Sequence, residues 1–381
     1  MRKIDFVFFD AGGGHRSAAT ALKTVSENQN RPWDVRLVNL QEVMDPLDIF
    51  RKFTGVRLQD IYNRMLANGW TLGSGYLLPG MHGIIRMYHP AQVRMLSDFW
   101  RPTAPDLVVS VVPNFNRALL HGLRRVPSKT PFATILTDFA DFPPHFWIER
   151  QDQYLICGTD RAMFQARRMG YPPDRIFKTS GMILRPAFYQ EFNHDKKAEL
   201  LRLGLEPDRP TGLVLFGGQG SAHMTRIAEN LQQIGRSLQL IMICGKNEKL
   251  AAELQAMASR LPMHVVGFTH EIPYYMSLSD FFIGKPGPGS ISEATAMKLP
   301  VIIERNSWTL PQERYNAEWV RQKEVGLVVR NFRHICAAVD QLLEPNTFEH
   351  LRKNAAAVRN RSVFEIPDIL AQILERSYPR G

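Results

Sequence analysis

The sequence predicts an α/β protein built from two doubly wound domains. Its 381 residues are enough for two domains with separate cores. Short apolar runs alternate with segments of helical periodicity along both halves, a pattern typical of parallel sheets covered by helices. Glycine-rich turns follow several of the predicted strands, at the edge where such sheets usually bind ligands.

Composition excludes several classes of protein. Apolar residues make up 44% of the chain, an ordinary value for a globular protein. No apolar run approaches the roughly 18 residues of a membrane-spanning helix, and the N-terminal segment is expected to be a buried strand rather than a signal peptide. Cys157, Cys244 and Cys336 are isolated, so we expect neither disulfides nor a zinc site, and a reducing cytoplasm.

Positive charge is concentrated in the first half of the chain. Of the net charge of +10, residues 1–190 contribute +8, with 24 basic and 16 acidic residues. No nucleic-acid module signature accompanies this charge, so nucleic acid is not expected as a partner. An anionic membrane and a merely basic surface both remain as explanations.

The first half contains six predicted strands and a glycine turn after the first of them. This turn lacks the Gly-Lys-Ser/Thr of a P-loop, and Ser17 and Asn39 stand where a dinucleotide site requires a glycine and an acidic residue. Nucleotide binding of either kind is therefore not predicted here. The predicted strands are 3–9, 33–40, 107–112, 131–136, 154–157 and 175–178.

Residues 46–100 form the least regular part of the sequence. Between residues 46 and 129, 11 basic residues stand against 4 acidic ones. Aromatic and apolar residues beside arginines favour an element lying on an anionic membrane surface, with an ordinary apolar subdomain as the alternative. The candidate membrane or acceptor contacts, including one tryptophan from a later loop, are Trp70, Tyr76, Leu77, Leu78, Ile84, Ile85, Arg86 and Trp147.

Three residues are candidates for acid–base chemistry. His15 directly follows the first glycine turn, where we expect it to be exposed and to titrate near neutrality, as a general base should. It could instead cap its own helix or contact phosphate. Asp138 and His145 are the reserve candidates, because their loop follows a strand at the same edge of the sheet.

The second half repeats the strand–helix alternation and carries a second glycine-rich turn. Its strands are predicted near 212–216, 238–244, 264–266, 280–283, 301–303 and 327–329. After the fourth of these, a glycine turn precedes a helix expected to begin at Ser290, an arrangement that suits phosphate. Glu293 either completes a capping box with Ser290 or binds a ribose; the spacing does not decide.

Taken with Gln312-Glu313 and Asn316, the stretch 283–316 resembles the C-terminal signature of the monogalactosyldiacylglycerol synthase family and its bacterial diacylglycerol glucosyltransferase relatives. More distantly, the chain is similar to the lipid II N-acetylglucosaminyltransferase. The resemblance continues, in the family's order, in the segments 12–19, 180–188, 244–247 and 267–269.

This resemblance implies a GT-B fold, with two Rossmann-like doubly wound domains facing a central cleft. Residues 1–189 would form the first domain, joined by a returning helix at 365–381, and residues 190–364 the donor domain. The resemblance also implies a UDP-sugar donor, a lipid acceptor and inversion at the anomeric carbon.

The resemblance also assigns roles to residues of the donor domain. The backbone near Phe268 would meet uracil, Glu293 the ribose, and Gln312, Glu313 and Asn316 the sugar. The family's Pro-Gly-Gln-Glu lacks its glycine here, so galactose and glucose both remain open. The full predicted UDP-sugar set is Gly14, Arg185, Gly217, Gly218, Gln219, Gly245, Lys246, Asn247, Gly267, Phe268, Thr269, Gly287, Pro288, Gly289, Ser290, Glu293, Gln312, Glu313 and Asn316.

In the family, an aspartate, a histidine and a tryptophan recur in the loop after the fourth strand of the first domain. Here the gap from Asp138 to His145 is longer than usual, whereas Asp141 to His145 keeps the usual gap. Either aspartate could therefore correspond to the family's position.

The expected chemistry needs no metal and no cofactor, since the sequence contains no Asp-X-Asp motif. Helix dipoles, backbone N–H groups and cations would then stabilise the departing UDP. The expected partners are UDP-galactose or UDP-glucose, diacylglycerol and an anionic phospholipid surface, with a bacterial cytoplasmic location at the inner membrane. Two alternatives are a UDP-sugar 2-epimerase of the same fold and a non-catalytic nucleotide-sugar or lipid-binding protein.

Overall fold

The computed structural model describes residues 1–10, 13–45, 87–127, 129–307 and 309–378. These residues form two compact units. The first unit contains the described residues up to Pro186 together with those from Asn360 onward. The second unit contains residues from Ala187 to Arg359. The chain passes to the second unit after Pro186 and returns to the first at Asn360, in each case a few residues before the predicted domain boundary.

A parallel six-stranded sheet forms the centre of the first unit, in the order β2-β1-β3-β4-β5-β6. The order of strands along the chain reverses between β1 and β3, which makes the carboxyl ends of these two strands a topological switch point. The strands are β1 (Arg2–Phe8), β2 (Trp33–Asn39), β3 (Leu107–Ser110), β4 (Phe132–Ile135), β5 (Tyr154–Cys157) and β6 (Ile176–Lys178).

Helices of the first unit pack on this sheet through apolar faces. Trp100 is wholly buried, and its indole N–H donates to the Asp5 carboxylate at 2.9 Å, which Arg36 also contacts at 2.6 Å. The buried charge on β1 is thereby paired and hydrogen-bonded, as burial requires. The helices are α1 (Gly14–Asn28), α2 (Leu40–Met44), α3 (His89–Trp100), α4 (Asn116–Arg124), α5 (Asp160–Arg168) and, at the end of the chain, α14 (Ser362–Ser377).

The C-terminal segment returns to the first unit and is fastened at Ser180. The Glu365 carboxylate accepts hydrogen bonds from the Ser180 backbone N–H and hydroxyl, both at 2.8 Å. A Cβ added to Gly181 would lie 2.6 Å from the Asn360 side chain, so only glycine fits there. Helix α14 then packs against α1. Ser180 and Gly181, which open the segment 180–188, therefore attach the C-terminal segment to the first unit.

The second unit contains another parallel six-stranded sheet, in the order β12-β11-β10-β7-β8-β9. Here the order along the chain reverses between β7 and β10, so the second switch point lies at the carboxyl ends of that pair. The strands are β7 (Thr211–Leu215), β8 (Gln239–Ile243), β9 (Met263–Val266), β10 (Phe281–Gly284), β11 (Val301–Glu304) and β12 (Gly326–Val329).

Apolar packing holds the second unit together, with the inner strands β7, β8 and β10 buried along their whole length. Continuous apolar runs such as Leu213 to Leu215 are typical of strands covered by helices on both faces. The helices are α6 (Lys196–Arg202), α7 (His223–Leu231), α8 (Glu248–Ala256), α9 (Ile272–Ser277), α10 (Pro288–Ala296), α11 (Arg314–Lys323), α12 (Ile335–Leu342) and α13 (Pro345–Ala357).

The predicted fold class is confirmed: the chain is an α/β protein with two doubly wound parallel sheets. In the described part of the chain, no helix has the length and apolar character needed to cross a bilayer. The predicted membrane contacts Trp70, Tyr76, Leu77, Leu78, Ile84, Ile85 and Arg86 lie outside the described residues.

Candidate functional site

His15 lies at the switch point of the first unit, as the second residue of α1. Its Nδ1 is 3.3 Å from the hydroxyl of Thr137, which follows β4. The ring also forms a hydrogen bond with the backbone of Val111, the residue after β3. His15 therefore joins the ends of neighbouring strands, and both contacts are to elements other than its own helix.

The prediction that His15 titrates near neutrality is wrong. Burial lowers the pKa of His15 to about 4, and the hydrogen bond to Val111 opposes this shift only in part. The imidazole is therefore neutral at pH 7 and able to accept a proton.

Asp141 shapes the loop that follows Thr137. Its carboxylate accepts hydrogen bonds from the backbone N–H groups of Trp147 at 2.6 Å and His145 at 3.0 Å. Burial raises the pKa of Asp141, while these backbone bonds oppose the increase. Asp141 thus stabilises the loop, and His145 is exposed on it in a left-handed conformation with a φ of 65°.

Asp138 holds the tryptophan that packs near His15. Its Oδ2 accepts a hydrogen bond from the Trp147 indole N–H at 2.8 Å, and the rings of Trp147 and His15 have centroids 6.0 Å apart. Trp147 is 0% exposed, so the prediction that it contacts the membrane or the acceptor is wrong. An indole with an apolar body and one bonded N–H is instead well suited to line the buried side of the His15 site.

Glycine turns gather at the switch-point edge of the second sheet. Gly217 follows β7 with a φ of 76°, and Gly245 follows β8 with a φ of 60°. The Lys246 N–H donates to the Gly218 carbonyl at 2.9 Å, and a Cβ on Gly245 would lie only 2.4 Å from that oxygen. Glycine is required here because the two loops meet backbone to backbone.

The helix after β10 begins earlier than predicted. Helix α10 starts at Pro288 with Gly287 as its N-cap, and no side chain caps it. Ser290 lies inside the first turn and Glu293 in the second, so the predicted helix start and the capping-box interpretation of Glu293 are both wrong. Proline is favoured at the first helical position because its fixed φ is already helical and it lacks an N–H that would go unbonded there.

Side chains of the predicted sugar-binding segment support the turn after β10. Asn316 is 0% exposed, and its Nδ2 donates to the Pro286 carbonyl at 2.8 Å. The predicted contact between Asn316 and the sugar is therefore wrong for this structure, since the amide is buried beneath the turn. Glu313 is nearly buried and pairs with Lys285 at 3.2 Å, while Gln312 is half-buried.

Other predicted donor residues lie on the loops after β8 and β9. Phe268 is 53% exposed, and the Lys246 ammonium is 5.4 Å from the centre of its ring. Of its two neighbours in the chain, Gly267 is exposed and Thr269 is half-buried. Asn247 caps α8, with its Oδ1 accepting from the Leu250 N–H at 3.0 Å. Because all six strands are parallel, these loops share one edge with the turns after β7 and β10.

Each unit brings its own part of the predicted set together. The edge of the second sheet gathers the loops that carry Gly217, Gly218, Gln219, Gly245, Lys246, Asn247, Gly267, Phe268, Thr269, Gly287, Pro288, Gly289, Ser290 and Glu293. Gly14 and Arg185 belong to the first unit. Among the described residues, no three His, Cys, Asp or Glu side chains are grouped so that they could hold a metal ion.

Three residues of these sites were not predicted from the sequence: Val111, Thr137 and Lys285. Each is a single residue near a strand end, without a spacing pattern of its own. For Lys285 the sequence offers one signal, the adjacent glycine turn, because such turns mark the edge of a parallel sheet where ligands bind.

Comparisons with known proteins agree with this arrangement. Residues 213–372 match the model of the glycosyltransferase family 28 C-terminal domain. The chain is 27% identical to the chloroplastic monogalactosyldiacylglycerol synthase of Spinacia oleracea, over 98% of this chain and 73% of that protein. It is 26% identical to monogalactosyldiacylglycerol synthase 1 of Arabidopsis thaliana, over 98% of this chain and 72% of that protein.

Solved structures share the fold. The MurG structure of Acinetobacter baumannii superposes with a TM-score of 0.65 at 11% identity, covering 98% of this chain and all of that one. The UDP complex of MnaA from S. aureus gives a TM-score of 0.62 at 15% identity, with 98% and 96% covered. UDP-GlcNAc 2-epimerase of Neisseria meningitidis, bound to UDP-GlcNAc, gives 0.59 at 15% identity, with 98% and 100% covered.

At these identities the solved structures establish the two-domain GT-B fold, while the sequence relatives extend over nearly the whole chain. The chain is a glycosyltransferase that is similar over nearly its whole length to the monogalactosyldiacylglycerol synthases, and its residues 213–372 match the glycosyltransferase family 28 C-terminal domain.

Proposed function

We propose that the protein is an inverting glycosyltransferase that moves galactose or glucose from its UDP-sugar to diacylglycerol. The observation that carries this proposal is the set of glycine-bearing turns at one edge of the second sheet, beside Glu293 and the Lys285–Glu313 pair. Backbone N–H groups of such turns suit a diphosphate, and a carboxylate suits the hydroxyls of a ribose. The S. aureus neighbour was solved with UDP, and the named relatives make a galactosyl lipid.

In the proposed reaction, the acceptor hydroxyl oxygen attacks the anomeric carbon of the sugar. The bond from that carbon to the diphosphate oxygen breaks, UDP leaves with the electron pair, and the hydroxyl proton passes to a base. His15 is the proposed base, since its imidazole is neutral at pH 7 and is oriented by Thr137 and Val111.

UDP departure requires stabilisation of the charge that develops on the diphosphate. We assign this role to the backbone N–H groups at the start of α10, to the turn at Gly217 and Gly218, and to cationic side chains. The proposal includes no metal and no cofactor, because the sequence lacks the carboxylate motif with which many transferases hold one. Activity should therefore persist in EDTA, and an absolute requirement for Mg²⁺ or Mn²⁺ would contradict this part.

Diacylglycerol resides in membranes, so the enzyme must work at a lipid surface. We propose peripheral binding to the cytoplasmic face of a bacterial inner membrane, through residues 46–100 and neighbouring basic residues. Arg94 on α3 and Arg117 on α4 belong to this basic region of the chain. Co-sedimentation with vesicles should increase with phosphatidylglycerol content and decrease with salt; binding indifferent to lipid charge would contradict it.

One experiment tests the function directly. The protein is incubated with labelled UDP-galactose, UDP-glucose or UDP-N-acetylglucosamine and diacylglycerol vesicles, and the lipid extract is separated by chromatography. Label in a glycolipid of inverted anomeric configuration, from one of the first two donors, is the expected result.

A UDP-sugar 2-epimerase is the second candidate, because the Neisseria meningitidis structure shares the fold. In the same experiment an epimerase would change the sugar of the nucleotide without any lipid, whereas a binding protein would leave every donor intact. The sequence relatives, which match nearly the whole of this chain, favour transfer to lipid over epimerisation and over binding alone.

A further inference from the structure

We propose that Lys285 is the side chain that binds the diphosphate of the donor, and that Glu313 holds Lys285 in place until the donor arrives. This inference rests on the proposed function and deepens it. It assigns a residue that the sequence patterns did not indicate, and gives Glu313 a role before the sugar binds.

Lys285 stands at the switch point of the second sheet, directly after Gly284, the last residue of β10. Its Cε lies 3.8 Å from the position of a Cβ on Gly217 and 3.5 Å from that of a Cβ on Gly287. The lysine side chain therefore runs between the turn that follows β7 and the turn that follows β10. An anion bound by either turn would meet the side chain that separates them.

Glu313 fixes the far end of this side chain. The Lys285 Nζ is 3.2 Å from Glu313 Oε1, and the Glu313 side chain is 11% exposed against 39% for Lys285. The ammonium thus remains accessible while the carboxylate is largely desolvated. Burying such a carboxylate without a partner costs free energy. Glu313 is therefore stabilised either by Lys285 or by another hydrogen-bond donor that takes its place.

An exchange of partners follows from these positions. A diphosphate attracts Lys285 away from Glu313, and the buried carboxylate must then find donors elsewhere. The hydroxyl groups of a hexose are suitable donors, whereas UDP alone offers none at that place. Lys285 and Glu313 would therefore couple binding of the diphosphate to binding of the sugar.

The test uses the full-length protein and measures uridine, UMP, UDP and UDP-hexose binding by calorimetry. Lys285→Met keeps the length of the side chain and removes its charge, so UDP binding should weaken roughly 10- to 100-fold, the scale of a hydrogen bond to a charged group. Uridine binding should not change. Lys285→Arg should restore most of the UDP affinity, and Lys323→Met, at the exposed end of α11, should alter neither ligand.

Glu313→Gln supplies the second arm, because it removes the charge that competes for Lys285. UDP should bind as tightly as before or more tightly, whereas UDP-hexose should lose about 10-fold, since Gln hydrogen-bonds hydroxyls less strongly than a carboxylate does. Without any variant, raising the salt concentration should weaken binding of UDP to the wild-type protein but not binding of uridine.

Equal losses of uridine and UDP affinity in Lys285→Met would overturn the inference, because they would indicate a purely structural role. A parallel loss of UDP and UDP-hexose affinity in Glu313→Gln would overturn the coupling. If the wild-type protein binds no UDP at all, the proposed function fails, and this inference fails with it. If the wild-type protein binds UDP and the variants give the contrary results above, only this inference fails.

Discussion

The two switch points of this molecule share a topology and differ in chemistry. In the first unit, the ends of β1 and β3 meet a histidine whose pKa is lowered to about 4 by burial. In the second unit, the ends of β7 and β10 meet glycine turns and an ion pair. One sheet edge thus carries the proposed proton acceptor, and the other carries the proposed site for the negative charge of the donor.

Desolvation acts on both sites, and the neighbours decide its result. Around His15, a hydroxyl, a backbone carbonyl and a buried indole offer no negative charge in direct contact, so the ring stays neutral. Around Lys285, the carboxylate of Glu313 supplies the opposite charge at a distance of 3.2 Å. Similar backbones can therefore host opposite electrostatic tasks through one or two side chains.

The largest expected effect comes from removing His15, the proposed proton acceptor. His15→Ala should lower kcat about 10²-fold, the lower end of the range for general base catalysis, because a base of lowered pKa has less driving force. UDP affinity, measured by calorimetry, should stay within about twofold. His145→Ala, on the exposed part of the neighbouring loop, is the matched control and should change kcat little. A large loss in His145→Ala with a small one in His15→Ala would reverse the assignment.

Removal of the Glu293 carboxylate, the proposed ribose contact, is the next largest change. Glu293→Gln should weaken UDP binding by about 1.5–3 kcal/mol, the scale of a hydrogen bond to a charged group. Because α10 begins at Pro288, Glu293 has no capping role to lose, and the melting temperature should hold. A drop in melting temperature with unchanged UDP affinity would show that the residue is structural.

The backbone contact between the loops after β7 and β8 can be broken at Gly245. Gly245→Ala places a side chain at a φ of 60° and against the Gly218 carbonyl, so stability should fall by at least about 1–2 kcal/mol, measured by urea unfolding. Gly235→Ala is the control, because the space around that residue is open and the change should stay within about 0.5 kcal/mol. Equal stabilities of the two variants would argue against the close approach.

The smallest effect is a displacement along the pH axis. With the His15 pKa lowered to about 4, the acid limb of kcat/KM should lie near pH 4 instead of near 6.5, and it should be absent in His15→Ala. The same shift affects stability, because the unfolded chain binds more protons between about pH 4 and 6.5. Stability should therefore rise with pH across that window, and an acid limb near 6.5 would refute the lowered pKa.

Much of the fold could be predicted, because strands in parallel sheets are short apolar runs between glycines and helices. Tyr154–Cys157 has the predicted bounds, and most other strands shift by a residue or two. The glycine loops of the second sheet were also recognisable. Their positions follow from the local sequence, and parallel strands bring them to one edge without further information.

Burial and pairing could not be predicted in the same way. Trp147 is aromatic in a loop, which suits either a lipid surface or a packed wall, and only tertiary contacts show that it is wholly buried. Asn316 likewise lies beneath the turn at Pro286 instead of facing ligand. Ser290 and Glu293 match the capping-box spacing, but Pro288 begins the helix first. Local patterns identify these residues without fixing their neighbours.

The return of the C-terminal segment to the first unit has a consequence for biosynthesis. During translation, residues 187–359 emerge before α14 does, so the second unit can fold while the first still lacks the helix that packs on α1. Until Glu365 reaches Ser180, the apolar face of α1 is open to other chains and to chaperones. A chain released after residue 359 would therefore have a complete second unit and a first unit that lacks α14.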